Sequence, residues 1–131
     1  MTAIKKPVGL AQRMLEKGSI TQQDYNTWQR LARDGYIAGM AGNPKITHYD
    51  RSYVDGGVVD SDYAMQRRQV VNKIIGRCGL LGGVVIDYVC IKGESLKEVS
   101  NRLTVLNEKQ VSGILISSLC IAAEVYRELN N

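Results

Sequence analysis

The chain has 131 residues, 44% of them hydrophobic and 23% charged, which excludes two independent large domains and disorder as the general state. One domain of ordinary size, or a compact domain with a satellite segment, fits that length. The net charge of +4 leans toward an anionic partner but is well short of polybasic.

Charge placement is more informative than the total. Residues 1–18 hold Lys5, Lys6, Arg13 and Lys17 against Glu16 alone, and residues 63–79 hold Arg67, Arg68, Lys73 and Arg77 with no acid. From Lys92 onward five basic residues meet five acidic ones, so that part is neutral. The N-terminus has no apolar run of signal-peptide length after its lysines, and the longest apolar stretch, Leu80 to Ile91, is interrupted by Asp87 and too short to cross a bilayer. A cytoplasmic protein without membrane contact is expected. Three cysteines, Cys78, Cys90 and Cys120, leave one unpaired in any disulfide scheme and lack metal-site spacing, so they read as small buried hydrophobes.

The first helix is predicted over 8–17, with Leu10 and Met14 at helical spacing before Gly18 stops it. Thr21 and Asp24 have the spacing of an N-terminal cap, and Ile20 and Tyr25 that of a hydrophobic staple. Tyr25, Trp28, Leu31 and Ala32 carry one apolar face to about Ala41, with Trp28 as a packing anchor. Residues 42–61 contain Pro44, a glycine pair and no sustained period, and read as a linker or long loop. The only histidine, His48, lies there without a nucleophile to serve, and Asp55, Asp60 and Asp62 lack the spacing of a calcium loop.

A third helix is predicted from about Asp62 to Cys78, with Val70, Val71, Ile74, Ile75 and Cys78 on one face. Arg67 falls on that face, so either the helix begins unpacked there or Arg67 finds a partner among the preceding aspartates. Gly79, Gly82 and Gly83 punctuate the chain before a fourth helix, about Leu81 to Ile91, which Lys92 and Gly93 end.

Two capping boxes follow. Ser95 with Glu98 opens a short helix whose Leu96, Val99 and Leu103 share a face, and Asn107 with Gln110 opens a long one running to about Leu129. Two capped helices joined by a turn of about four residues predict a helix-turn-helix, whose second helix can enter the DNA major groove; an ordinary helical hairpin has the same signature. In the long helix Val111, Leu115, Leu119, Ala122, Val125, Tyr126 and Leu129 project to a core face. Opposite lie Lys109, Gln110, Gly113, Ser117, Cys120, Glu124 and Arg127. Only Lys109 and Gln110 are clear candidates for reading bases. Gly113, Ser117 and Cys120 form a stripe of small residues, which suits a tight intramolecular crossing, a docking protein or a DNA backbone.

The run from Ile86 to Gly93, then Leu96 to Val99, Lys109 and the helix Ile114 to Tyr126 resembles an alphaproteobacterial and prophage family ending in a domain of unknown function. The likeness covers about residues 66–127, and the start Gly18-Ser-Ile-Thr with Tyr25 and Arg30-Leu31 is similar to the segment upstream in that family. The chain departs from the pattern by extra residues after Gly93 and around Thr104 to Asn107, and by lacking a Trp-Pro in that turn. The family includes a subunit of the activator of gene transfer agent clusters, so the resemblance implies transcription activation or antitermination through RNA polymerase.

The expectation is thus an all-α protein: an N-terminal helical segment over 1–41, a linker over 42–61, and a helical domain over 62–131 with a helix-turn-helix and a long final helix. Arg68, Lys73, Arg77, Lys97, Lys109 and Gln110 are the candidate DNA-binding residues, and Gly113 and Ser117 the candidate protein-docking residues. The expected partners are double-stranded DNA and RNA polymerase or another transcription protein, with a homodimer left open. A protein adaptor or phage structural component that does not touch DNA is the alternative. No paired carboxylates, activated nucleophile, phosphate loop or metal set is recognisable, so no enzymatic activity, cofactor or metal is expected.

Overall fold

The structure, a computed structural model, describes residues 9–41 and 61–130. Among these residues every regular element is helical: α1 (Leu10–Glu16), α2 (Gln22–Ile37), α3 (Ser61–Ile86) continued by a π-helical turn (Asp87–Ile91), α4 (Leu96–Leu103) and α5 (Glu108–Asn130). Pro44, His48, Asp55, Asp60, Lys5 and Lys6, and with them nearly all of the expected 42–61 linker, lie outside the described residues.

Local chemistry sets the helix ends. Gly18 takes φ +79 and lets the Ser19 N–H reach back to the Met14 carbonyl at 2.9 Å, which closes α1. The capping box of α2 is formed: the Asp24 N–H donates to Thr21 Oγ1 and the Thr21 N–H donates to Asp24 Oδ2, each at 3.1 Å. The same helix stops at Ile37, short of the Ala41 expected from periodicity. Gly39 turns left-handed there (φ +76), and the Met40 N–H returns to the Gly35 carbonyl.

The long element α3 is two helical arms. Gly79 has φ +85 and ψ −177, a region that essentially only glycine occupies, and the bend brings the arms into contact. A methyl group on Gly83 would stand 2.7 Å from the Ile75 carbonyl oxygen, and one on Gly82 would stand 2.8 Å from Ser118 Oγ on α5. By length and composition alone 62–91 is apolar enough to cross a membrane. In the fold it is bent, and Val71, Ile74, Val85 and Ile86 are fully buried.

One hydrophobic core takes side chains from both described segments: Met14, Trp28 and Leu31 from the first, and Val71, Ile74, Val85, Ile86, Val99, Val111, Leu115, Leu119 and Val125 from the second. The most extensive packing is α3 on α5, with α2 lying across both. Trp28 is a core residue, as its place on the apolar face implied. The π-helical turn ends with the Lys92 N–H bonded to the Asp87 carbonyl at 3.0 Å, and it presents Ile91 to a notch on α2, where a methyl group on Gly35 would lie 2.7 Å from Ile91 Cγ2.

Candidate nucleic-acid interface

Both predicted capping boxes are present at the α4–α5 corner. The Glu98 N–H donates to Ser95 Oγ (3.1 Å) and the Ser95 N–H to Glu98 Oε1 (2.8 Å). The Gln110 N–H donates to Asn107 Oδ1 (2.8 Å) and the Asn107 N–H to Gln110 Oε1 (2.9 Å). Ser100 Oγ donates across the turn to the Leu106 carbonyl at 2.7 Å, and Thr104 turns the chain with φ +54. Arg102 forks onto Glu94 at 2.7–3.0 Å while its guanidinium lies 4.8 Å from the centre of the Tyr88 ring, tying α4 to the chain before it.

The two faces of α5 fall as projected, with one exception. Val111, Leu115, Leu119, Ala122 and Val125 are fully buried and Tyr126 nearly so, but Leu129 is 46% exposed in the last turn, beyond the reach of the core. Lys109, Gln110, Gly113, Ser117, Cys120, Glu124 and Arg127 are all exposed. Cys120 therefore departs from the reading of the cysteines as buried hydrophobes. Cys90 keeps to it, and burial pushes its thiol well above the ordinary range. Nothing among the described residues lies within 4 Å of where a Gly113 side chain would begin, so the intramolecular crossing of α5 does not use that stripe; it uses Ser118, on the other side, against Gly82.

The candidate phosphate-contacting cations fall into two groups. On α3, the Arg68 guanidinium donates to the Ala38 carbonyl at 2.9 Å, Arg77 is bonded to Glu128 at 2.8 Å, and Lys73 is exposed. The hydrogen bond from Arg77 holds the Glu128 carboxyl below the usual carboxylate range. Lys97 on α4 and Lys109 on α5 are exposed near the turn. Glu128 stands 19 residues after Lys109, about 29 Å along the helix at its usual rise. The two groups do not converge on one spot. Gln110 also has its side-chain oxygen committed to the cap, which leaves only its amide NH₂ to face a base edge.

The sequence reading missed a buried polar cluster that joins three helices. Asp34 on α2 is fully buried. Tyr126 Oη donates to Asp34 Oδ2 at 2.7 Å, and Arg67 Nη1 approaches the same oxygen at 3.4 Å. Arg67 is thus partnered across the fold by Asp34 on α2. Burial first, and then the bond to the Asp34 carboxylate, push the Tyr126 phenol well above its ordinary value. Among the described residues Asp34 Oδ1 and Arg67 Nε have no hydrogen-bond partner. On the outer side, the Arg30 guanidinium lies 3.9 Å from the centre of the Tyr126 ring. The available signal was positional: Asp34 follows Leu31 by three residues, on the face that Trp28 and Leu31 bury.

No protein-family model, no curated protein and no solved structure matches this chain. Among the described residues no three His, Cys, Asp or Glu side chains are grouped as a metal ion needs. The features that bear on function are therefore the α4–α5 corner, the outer face of α5, the cations of α3 and the Arg30–Tyr126 contact.

Proposed function

We propose that the protein is a cytoplasmic, DNA-associated transcription regulator of bacterial or prophage type that works with RNA polymerase, using the α4–α5 corner as a helix-turn-helix. The observation that carries the reading is that corner: an eight-residue helix, a short turn and a long helix, each helix opened by a complete capping box. Lys97 and Lys109 flank the turn with exposed side chains and supply phosphate contacts. The likeness to the gene transfer agent activator family points to the same business, activation or antitermination.

The outer face of α5 favours a second role in the same molecule, or an adaptor that does not touch DNA. Around Gly113, Ser117 and Cys120 the helix offers its backbone to a close partner and few groups that read bases. Binding to duplex DNA, measured over a salt series by fluorescence anisotropy, tests the first reading. Each of Lys97→Ala and Lys109→Ala is expected to lower the magnitude of the log–log salt slope by about 1. No binding at low salt, or slopes unchanged in both variants, would refute direct DNA contact and leave the adaptor. For the adaptor, Gly113→Leu with Ser117→Leu is expected to abolish capture of RNA polymerase from a nuclease-treated lysate while the fold persists.

A further inference from the structure

Between α2 and the C-terminal half of α5 lies a cleft of about 190 Å³ lined by Gln23, Asn26, Thr27, Arg30, Tyr126 and Arg127, with Ala123. We infer that this cleft is a binding site for the phosphoryl group of a small ligand, with Arg30 and Arg127 as its two charged contacts.

Four observations carry the assignment. First, among the described residues neither arginine has a carboxylate within ion-pair distance, although Arg33, Arg67, Arg77 and Arg102 all do. Two guanidiniums thus share one cleft with no carboxylate of the described residues in ion-pair contact with either. Second, the nearby acids are committed elsewhere. Asp24 caps α2, Asp34 is fully buried and held by Tyr126 and Arg67, and Glu124 and Glu128 act on Arg77, toward α3.

Third, Arg30 is held ready. Its guanidinium stacks on the Tyr126 ring at 3.9 Å, and that ring is fixed from beneath by the bond of its hydroxyl to Asp34. Stacking occupies the face of a guanidinium and leaves the N–H donors of its edge, the part that matches phosphate oxygens, free in the plane. Fourth, the remaining polar lining can donate. The Asn26 side-chain oxygen accepts from Gln22 at 3.0 Å, which leaves the Asn26 NH₂ for the cleft, and Gln23 and Thr27 add an amide and a hydroxyl.

Charge selects the ligand class. A phosphate monoester carries about −1.5 to −2 at neutral pH, which balances two guanidiniums; a carboxylate balances one. The cleft, about 190 Å³, has room for a phosphoryl group. The site is independent of the α4–α5 corner, so it can fail without touching the transcription reading, and the reverse.

The test is a titration of the full chain with inorganic phosphate, following the arginine Nε–Hε resonances by NMR, at ionic strength held constant with chloride. Saturable shifts are expected at Arg30 and Arg127. Arg30→Gln and Arg127→Gln should each weaken phosphate binding about tenfold or more, the loss typical of a hydrogen bond to a charged group, while Arg33→Gln should change it less than twofold. Arg127 is exposed, so its variant keeps the test decisive should loss of the Arg30 stack unfold the protein. Shifts that chloride reproduces, an Arg33→Gln loss equal to the others, or a folded Arg127→Gln variant with unaltered affinity would each overturn the site. It would also be overturned if Arg30 and Arg127 responded to duplex DNA and not to phosphate, since they would then be backbone contacts of a larger interface.

Discussion

Replacing Gly83 with alanine and replacing Gly113 with alanine are the same chemical change in two helices, and the fold predicts opposite signs. Either substitution gains up to about 1 kcal/mol, because alanine has less backbone entropy to lose and a better helix propensity. At Gly113 nothing among the described residues lies within 4 Å of the new methyl group, so the gain stands. At Gly83 the methyl would arrive 2.7 Å from the Ile75 carbonyl oxygen and 2.9 Å from Ile75 Cγ2. The backbone atom cannot swing aside as a side-chain tip would, and Ile75 is β-branched and stiff at χ1. The two arms of α3 must separate, and overpacking of that kind costs about 1–3 kcal/mol. Set against a helix gain of about 0.5–1 kcal/mol, Gly83→Ala should lose up to about 2.5 kcal/mol, whereas Gly113→Ala should gain about 0.5–1. In thermal unfolding followed by circular dichroism the two variants should melt on the order of 10 °C apart, on opposite sides of the wild type. A Gly83→Ala protein at least as stable as wild type would refute the close contact of the arms and the role assigned to Gly79 in making it.

Three further outcomes follow from the buried chemistry. Tyr126→Phe should cost about 1.5–3 kcal/mol in urea unfolding, the worth of a hydrogen bond to an ionised acceptor; a loss within error of zero would mean that Asp34 does not hold the phenol. Burial of the phenol, together with the same bond, fixes a pH dependence. Because the folded pKa of Tyr126 is raised, its contribution is complete below the ordinary phenol value of about 10 and is lost as pH rises above it, the unfolded chain releasing its proton first. Tyr126→Phe should flatten the decline of stability above pH 10, and an unchanged slope would count against the assignment. With a thiol-specific disulfide reagent, exposed Cys120 should react first, half-buried Cys78 more slowly and Cys90 only on unfolding, since burial raises the pKa of the last two. Rapid labelling of Cys90 in the native state would refute its place in the core.

What was legible in the chain was what is decided within one turn of helix. The Thr21–Asp24, Ser95–Glu98 and Asn107–Gln110 boxes each join residues three apart, and all three formed. The core face of α5 followed from periodicity alone up to Tyr126. What was hidden depends on partners distant in sequence. Asp34 and Tyr126 are 92 residues apart, and nothing local announces that a lone aspartate on an apolar face has a phenol waiting for it. The glycines at 79, 82 and 83 marked a break, but their three duties are distinct: Gly79 supplies the dihedral, Gly83 the room for Ile75 and Gly82 the room for Ser118. The candidate interface was legible to a similar degree. Exposure of Lys109 and Gly113 could be projected from helical geometry, whereas the attachment of Arg68 to Ala38 and Arg77 to Glu128 could not.

The bend at Gly79 has a consequence for how two copies of the chain could meet. The run from 62 to 91 buries its apolar face only because one residue lets its halves fold together. A side chain at that position removes the dihedral and favours a continuous helix, whose second half would carry Val85, Ile86 and Val89 away from the core of its own chain. The matching half from another straightened copy can fill the gap left behind, so each core is completed by exchange. The glycine at 79 thereby keeps the chain's contacts within one molecule, and its loss should be read first in the molecular mass of the folded species.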